Sequence, residues 1–283
     1  MMTPAVKILF ILTLTLHFST AAVSSDSGDY TINMAEDSID DAFTGLNHER
    51  MLTPVLDLLN IEMHKHEVLK KEWELFRDTD NDCKRALKIY TKNENNIFRE
   101  LNTAMRTGRT NYASFGFKAL HYLITCGIQQ INSEKKCMDV YRRSKDRFKI
   151  EGKTVRAGSF WSSSVSKDLT EYGKETCLKI HTCHGADITF LSFHQKEQEV
   201  LIPPYEKFEV IEEKDIMGCN FFYSLKSVGT ESKMKGEIRD YLAMPKLRKA
   251  LVVLLALLNC IQNDSHAGLE LIMIKKYHLN AAR

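Results

Sequence analysis

An α+β fold is predicted for this chain, with helices in the first half and a mixed, β-rich core after them. Two observations carry the prediction. Apolar residues recur at helical spacing from about residue 39 to 132, and near residue 138 the period falls to two. No regular alternation of strand and helix follows, which makes a doubly wound parallel sheet a poor fit.

The helical half is read from its apolar stripes. Leu69, Trp73 and Phe76 share one face, as do Ala86, Ile89 and Tyr90. Ile97, Leu101 and Ala104 form the next set, and Phe117, Leu120, His121 and Ile124 the last. Asn81-Asp82 and Thr107-Gly108 are the expected breaks. The strands begin at Met138-Asp139-Val140-Tyr141-Arg142. Leu178, Ile180 and Thr182 alternate with Cys177, Lys179 and His181. Ile188 with Phe190, Val200 with Ile202, and Phe208 with Val210 continue the pattern up to Phe221–Leu225. One domain over 39–235 is expected, helical over 39–135 and β-rich over 136–235. A flexible, Ser- and Asp-rich lead-in over 23–38 precedes it, and a tail over 236–283 follows.

The ends read differently. Lys7, the apolar run Ile8–Leu16 and the small residues Ser19-Thr20-Ala21-Ala22 have the form of a secretory signal peptide over 1–22. The run is well short of the roughly 20 residues a spanning helix needs. In the tail, Lys246–Lys249 precede the apolar segment Ala250–Leu258, again short for a span, and polar sequence resumes to Arg283. A lipid-anchor signal would end on its apolar stretch, so a buried or interfacial helix and a degenerate anchor signal both stay open, and with them membrane association. Asn263-Asp264-Ser265 is a formal glycosylation sequon.

Secretion gives the cysteines a meaning. Cys83, Cys126, Cys137, Cys177, Cys183 and Cys219 lie in the body, where an oxidising compartment favours disulfides. Six cysteines allow 15 pairings, and the sequence alone does not choose. Cys183-His184 has no second pair to complete a metal site, so no metal is expected. With 39 basic against 37 acidic residues, no field argues for a nucleic-acid partner. Neither a dinucleotide-binding glycine fingerprint nor a P-loop occurs.

Three polar segments stand where a plain core would not put them. They are Val140-Tyr141-Arg142-Arg143, Phe160-Trp161-Ser162-Ser163-Ser164 and Glu197-Gln198-Glu199-Val200-Leu201-Ile202-Pro203-Pro204. Each alone reads as a surface arginine, a loop or a solvated strand edge. In this order they form a pattern, and the chain resembles the secreted and cell-surface arginine-specific mono-ADP-ribosyltransferases of vertebrates. Phe117–Leu123, Thr182-Cys183-His184-Gly185-Ala186 and Leu225–Gly229 extend the resemblance over about 38–232.

The resemblance implies an NAD(P)+–protein-arginine ADP-ribosyltransferase, secreted or on the cell surface, with NAD as co-substrate in the cleft of a split β core. It makes Arg142, Ser162 and Glu199 the catalytic set. Arg142 would hold the phosphates, Ser162 would orient Glu199, and Glu199 would stabilise the ribosyl cation and hold a ribose hydroxyl. Glu197 would face the incoming arginine of a protein acceptor. On a regular strand, Glu197 and Glu199 would share a face. Tyr90 joins the NAD-binding residues by the same resemblance. The sequence departs from the family at Arg143, where glycine is usual, and at Ser159, where glutamine often stands. A family disulfide is missing at both ends, where Leu46 and Gly236 stand. Two alternatives stay open, an NAD glycohydrolase and a catalytically silent binding protein on the same fold. The acid at Glu197 favours transfer over hydrolysis.

Overall fold

The computed structural model of the protein describes residues 30–243. The expected signal peptide, the apolar segment at 250–258 and the sequon lie outside the described residues. The order of elements is β1 (Tyr30–Ile32), α1 (His48–Met63), α2 (Glu67–Leu75), α3 (Asp82–Thr91), α4 (Ile97–Thr107) and α5 (Lys118–Ile131). Then come β2 (Met138–Ser144), β3 (Phe148–Ile150), β4 (Thr154–Arg156), β5 (Trp161–Ser164), β6 (Thr176–Thr182), β7 (Ala186–Asp187), β8 (Glu199–Ile202), β9 (Glu206–Ile211) and β10 (Phe221–Thr230). The α+β reading holds, and both predicted helix breaks fall where expected.

Local chemistry sets the helix starts. Asn81 accepts from the Cys83 and Lys84 amides at 2.8 and 3.1 Å, capping α3. Asn47 caps α1 in the same way through the Arg50 amide. In α4, Ile97, Leu101 and Met105 are fully buried on one face. Helix α5 is buried along most of its length and forms the centre of the helical layer. Gly127 makes its approach to α3 possible, since a Cβ there would lie 2.6 Å from Leu87 Cδ1 and 2.9 Å from the Cys83 carbonyl.

Eight strands form one sheet in the order β4-β9-β10-β6-β2-β5-β8-β7, in which β10 and β6 are parallel and the remaining neighbours antiparallel. Strands β2 and β6 pair along their whole length, from Met138↔Thr182 to Ser144↔Thr176. Strands β2 and β5 pair only at Tyr141↔Ser164. The sheet therefore splits between them. Strand β8 lies between two apolar clusters, with Leu201 in the helical core and Val200 and Ile202 in the sheet core. Phe160 and Trp161 divide in the same way at β5. The strands beside the split are thus fixed from both faces.

Two expectations need correction. The lead-in over 23–38 was expected to be flexible, yet its described part is built into the fold. Tyr30–Ile32 pairs in parallel with β3, and Ser38 is fully buried. The cause is the buried Arg156, which donates to the carbonyls of Met34 and Ala35 and pairs with the buried Asp40. A guanidinium out of water needs these partners. The alternation at Ile188 and Phe190 is not a strand. The Asp187 carboxylate accepts from the Thr189 amide at 3.0 Å and turns the chain, leaving Phe190 exposed.

Leu46 and Gly236 do lie side by side, 4.0 Å between Leu46 Cδ2 and a Cβ built on Gly236. Carboxylates join these segments where a disulfide does not. Asp40 accepts from the amides of Lys233 and Met234, and Asp41 from that of Gly236 at 2.6 Å.

The six body cysteines pair as Cys83–Cys126, Cys137–Cys183 and Cys177–Cys219. Cys137, Cys183 and His181 bring ligand atoms within 4.8 Å of one another, but the two sulfurs are bonded to each other. The pairs are separated by 43, 46 and 42 residues, and closing loops of that length stabilises by about 4 kcal/mol each in the chain-entropy treatment. Replacing Cys83 and Cys126 by serine should lower the melting temperature by on the order of 10 °C. A thermal melt of the double variant checks this, and an unchanged midpoint would contradict it. Among the described residues no helix is long and apolar enough to cross a membrane.

Candidate active site

The split in the sheet holds the polar segments singled out from the sequence. Arg142 comes from β2, Ser162 from β5 and Glu199 from the start of β8, so three neighbouring strands supply one residue each. These three, with Ser164, Tyr172 and Glu197, line one cleft. Arg142 reaches across the split and donates from Nη1 to the Ser162 carbonyl at 2.5 Å. Burial makes its guanidinium less basic than usual.

Glu199 is buried, with 6% of its surface exposed. Burial pushes its carboxyl above the ordinary 4.5, while hydrogen bonds from Ser162 and Ser192 pull it back down. Ser192 Oγ donates to Glu199 Oε2 at 3.0 Å. The carboxylate is thus held by two hydroxyls in a place with little water. The other serines of the triplet act on backbone. Ser163 donates to the Val200 carbonyl at 2.8 Å and Ser164 to the Glu197 carbonyl at 2.5 Å. That leaves Ser162 as the hydroxyl of the triplet on Glu199.

Tyr90 enters from α3, fully buried. Its hydroxyl contacts Ser162 and receives the Asn102 amide at 3.0 Å, and burial raises its pKa to about 12. Asn102 also grips the Phe160 backbone, donating to its carbonyl at 3.2 Å and accepting from its amide at 3.1 Å. Helices α3 and α4 therefore fix the start of β5. An asparagine within the apolar stripe of α4 is the sequence signal that marks Asn102. Ser192 lies in a turn and left no such signal.

Glu197 departs from expectation. It ends a short 3-10 turn, Gln195–Glu197, and Gln198 turns left-handed at φ 47° before β8 starts. A regular strand would put both acids on one face. Here Glu199 points inward while Glu197 sits half-buried at the cleft rim. The preceding turn is fixed by Phe193, whose ring meets Phe76 at 5.4 Å. The two unusual residues also find places. Arg143 donates to the carbonyls of Lys167 and Met217, at 2.8 and 3.0 Å, and to Cys219 Sγ at 3.3 Å. Ser159 is buried behind Phe160, and its hydroxyl has no partner among the described residues.

A split sheet that gathers a buried carboxylate, a guanidinium and a second acid at the rim of one cleft is the feature to set beside known proteins. Residues 32–233 match the family model described as NAD:arginine ADP-ribosyltransferase. Ecto-ADP-ribosyltransferase 5 of Bos taurus is 34% identical over 206 residues, which covers 63% of this chain and 65% of that protein. T-cell ecto-ADP-ribosyltransferase 1 of Mus musculus is 33% identical over 207 residues, 66% of this chain and 70% of that one. Among solved structures, the eukaryotic mono-ADP-ribosyltransferase ART2.2 superposes with a TM-score of 0.64 at 28% identity, covering 73% of this chain and 98% of its own. A substituted form of ART2.2 was solved in complex with NAD. The chain belongs to the NAD:arginine ADP-ribosyltransferase family.

Proposed function

We propose that the chain transfers ADP-ribose from NAD to arginine side chains of proteins and releases nicotinamide. One observation carries the reading. A buried carboxylate, Glu199, is held by two serines beside the Arg142 guanidinium, and a second carboxylate, Glu197, waits at the rim of the same cleft. The residues suit the substrate. Arg142 offers a charged fork to the phosphates, Ser162 lines the inner wall with the buried Tyr90 behind it, and Glu199 faces the ribose.

The chemistry follows from charge. As the bond between the ribose carbon and nicotinamide breaks, its electron pair leaves with the ring and positive charge builds on the sugar. An ionised carboxylate in a water-poor site stabilises that charge. A nitrogen of the acceptor guanidinium then bonds to the ribose carbon and gives up one proton to solvent. Glu197 attracts and aligns that guanidinium beforehand. The reaction is placed outside the cell. The apolar leader and three disulfides support this, as do the names of the ecto-enzyme relatives.

Treating an arginine-rich protein with the chain and NAD, then mapping the modified residues by mass spectrometry, tests the proposal. Modification confined to arginine is expected. Modification of other residue types would overturn arginine specificity.

Protonation supplies a further expectation. Burial raises the Glu199 pKa, so the neutral acid persists to higher pH than for an exposed glutamate. Below that raised value Glu199 has no charge to offer, and activity falls. The acid limb of kcat/KM for NAD should therefore lie above the ordinary 4.5. A pH–rate profile with its acid limb at or below 4.5 would contradict the assignment.

A further inference from the structure

We propose that Tyr172 is a positioning residue for the acceptor, holding Glu197 in the orientation that receives a guanidinium; this rests on the reading of Glu197 given above. The Tyr172 hydroxyl donates to Glu197 Oε1. His194 Nδ1 faces the same oxygen at 3.9 Å. On the far side of that ring, the Asn93 amide lies 3.1 Å from His194 Nε2. Donation there puts the imidazole proton on Nδ1, toward Glu197. Tyr172 binds Oε1 and His194 lies on the same side, so Oε2 is the oxygen left to meet an arginine.

The donor is itself fixed. Tyr172 ends a short 3-10 turn, Thr170–Tyr172, in the loop between β5 and β6 that borders the cleft. Arg143 braces the near side of this loop through the Lys167 carbonyl. Gly173 closes the far side at φ +122°, so tight against β2 that a Cβ would lie 2.6 Å from the Ser144 carbonyl and the Lys145 amide nitrogen. A side chain there would push the loop off the strand. The loop is braced on both sides of Tyr172, and the hydroxyl is presented at a set place. Such preorganisation lowers the ordering cost when the acceptor arrives. The brace also gives a use to Arg143, the residue that departs from the family pattern.

The test uses Tyr172→Phe, which keeps the ring and removes the hydroxyl. Tyr172 is 41% exposed, so the fold does not depend on this group. Labelled NAD and agmatine are supplied together, and ADP-ribosyl-agmatine and free ADP-ribose are measured in one reaction. The ratio of transfer to hydrolysis should fall about tenfold, through a higher KM for agmatine, as expected for one lost hydrogen bond to a charged group. In a Glu197→Gln background, Tyr172→Phe should change the ratio no further. A proportional fall in both products, or an unchanged ratio, overturns the role of Tyr172. Glu197→Gln alone separates this from the underlying reading. If Glu197→Gln lowers the ratio and Tyr172→Phe does not, only the Tyr172 proposal fails. If Glu197→Gln leaves the ratio intact, the role of Glu197 fails first.

Discussion

Glu199→Gln is expected to remove arginine transfer and NAD hydrolysis together, each by about 10²–10³-fold or more. Both reactions pass through the same ribosyl cation, and the substitution deletes the charge facing it while nearly keeping the shape. The loss should not come from unfolding. Glu199 is buried and its pKa is raised, so keeping its carboxylate ionised costs the fold stability rather than adding to it. Glutamine has no charge to desolvate, and the variant should melt no lower than the parent. Rates with each acceptor, read beside a thermal melt, check both statements. Near-normal turnover in a folded variant would remove Glu199 from the chemistry.

Glu197→Gln should act differently. Glu197 lies at the rim, tied to Tyr172, while Glu199 lies inside. Removing the outer charge leaves an arginine without its anionic partner, whereas water needs none. Arginine modification should fall by about 10²-fold or more, as positioning and charge are lost together, and cleavage of NAD to ADP-ribose and nicotinamide should become the main reaction. Equal loss of both would mean that Glu197 supports the cleft generally.

Much of this was legible in the sequence, for physical reasons that differ by element. The α3 and α4 boundaries were readable because Asn81 and Gly108 are local signals. Strands β2, β6 and β9 were readable because burial of their apolar faces enforces a period of two, and β8, buried on both faces, because it is a short apolar run. The Ile188–Phe190 segment misled, because one hydrogen bond from the Thr189 amide to the Asp187 carboxylate outweighed its alternation. Residues 30–38 misled because polar composition hid a long-range demand, the buried Arg156 in need of carbonyls and a carboxylate. The order of motifs points to Arg142, Ser162 and Glu199, which line one cleft. That Ser192 braces Glu199 depends on a turn that folds back seven residues, and no period or motif marks it. The bent path at Gln198, which separates the two acids, is likewise invisible to a strand pattern. Tyr172 reads as one more loop tyrosine until the fold brings it to Glu197.

Arginine transfer is tested most directly by the product mixture from the purified chain, adenine-labelled NAD and agmatine. ADP-ribosyl-agmatine is the expected main product, formed with one nicotinamide per transfer and lost in Glu199→Gln. Free ADP-ribose alone at saturating agmatine would make the chain a glycohydrolase. No turnover of NAD would make it a silent member of the fold, and either result would contradict arginine transfer.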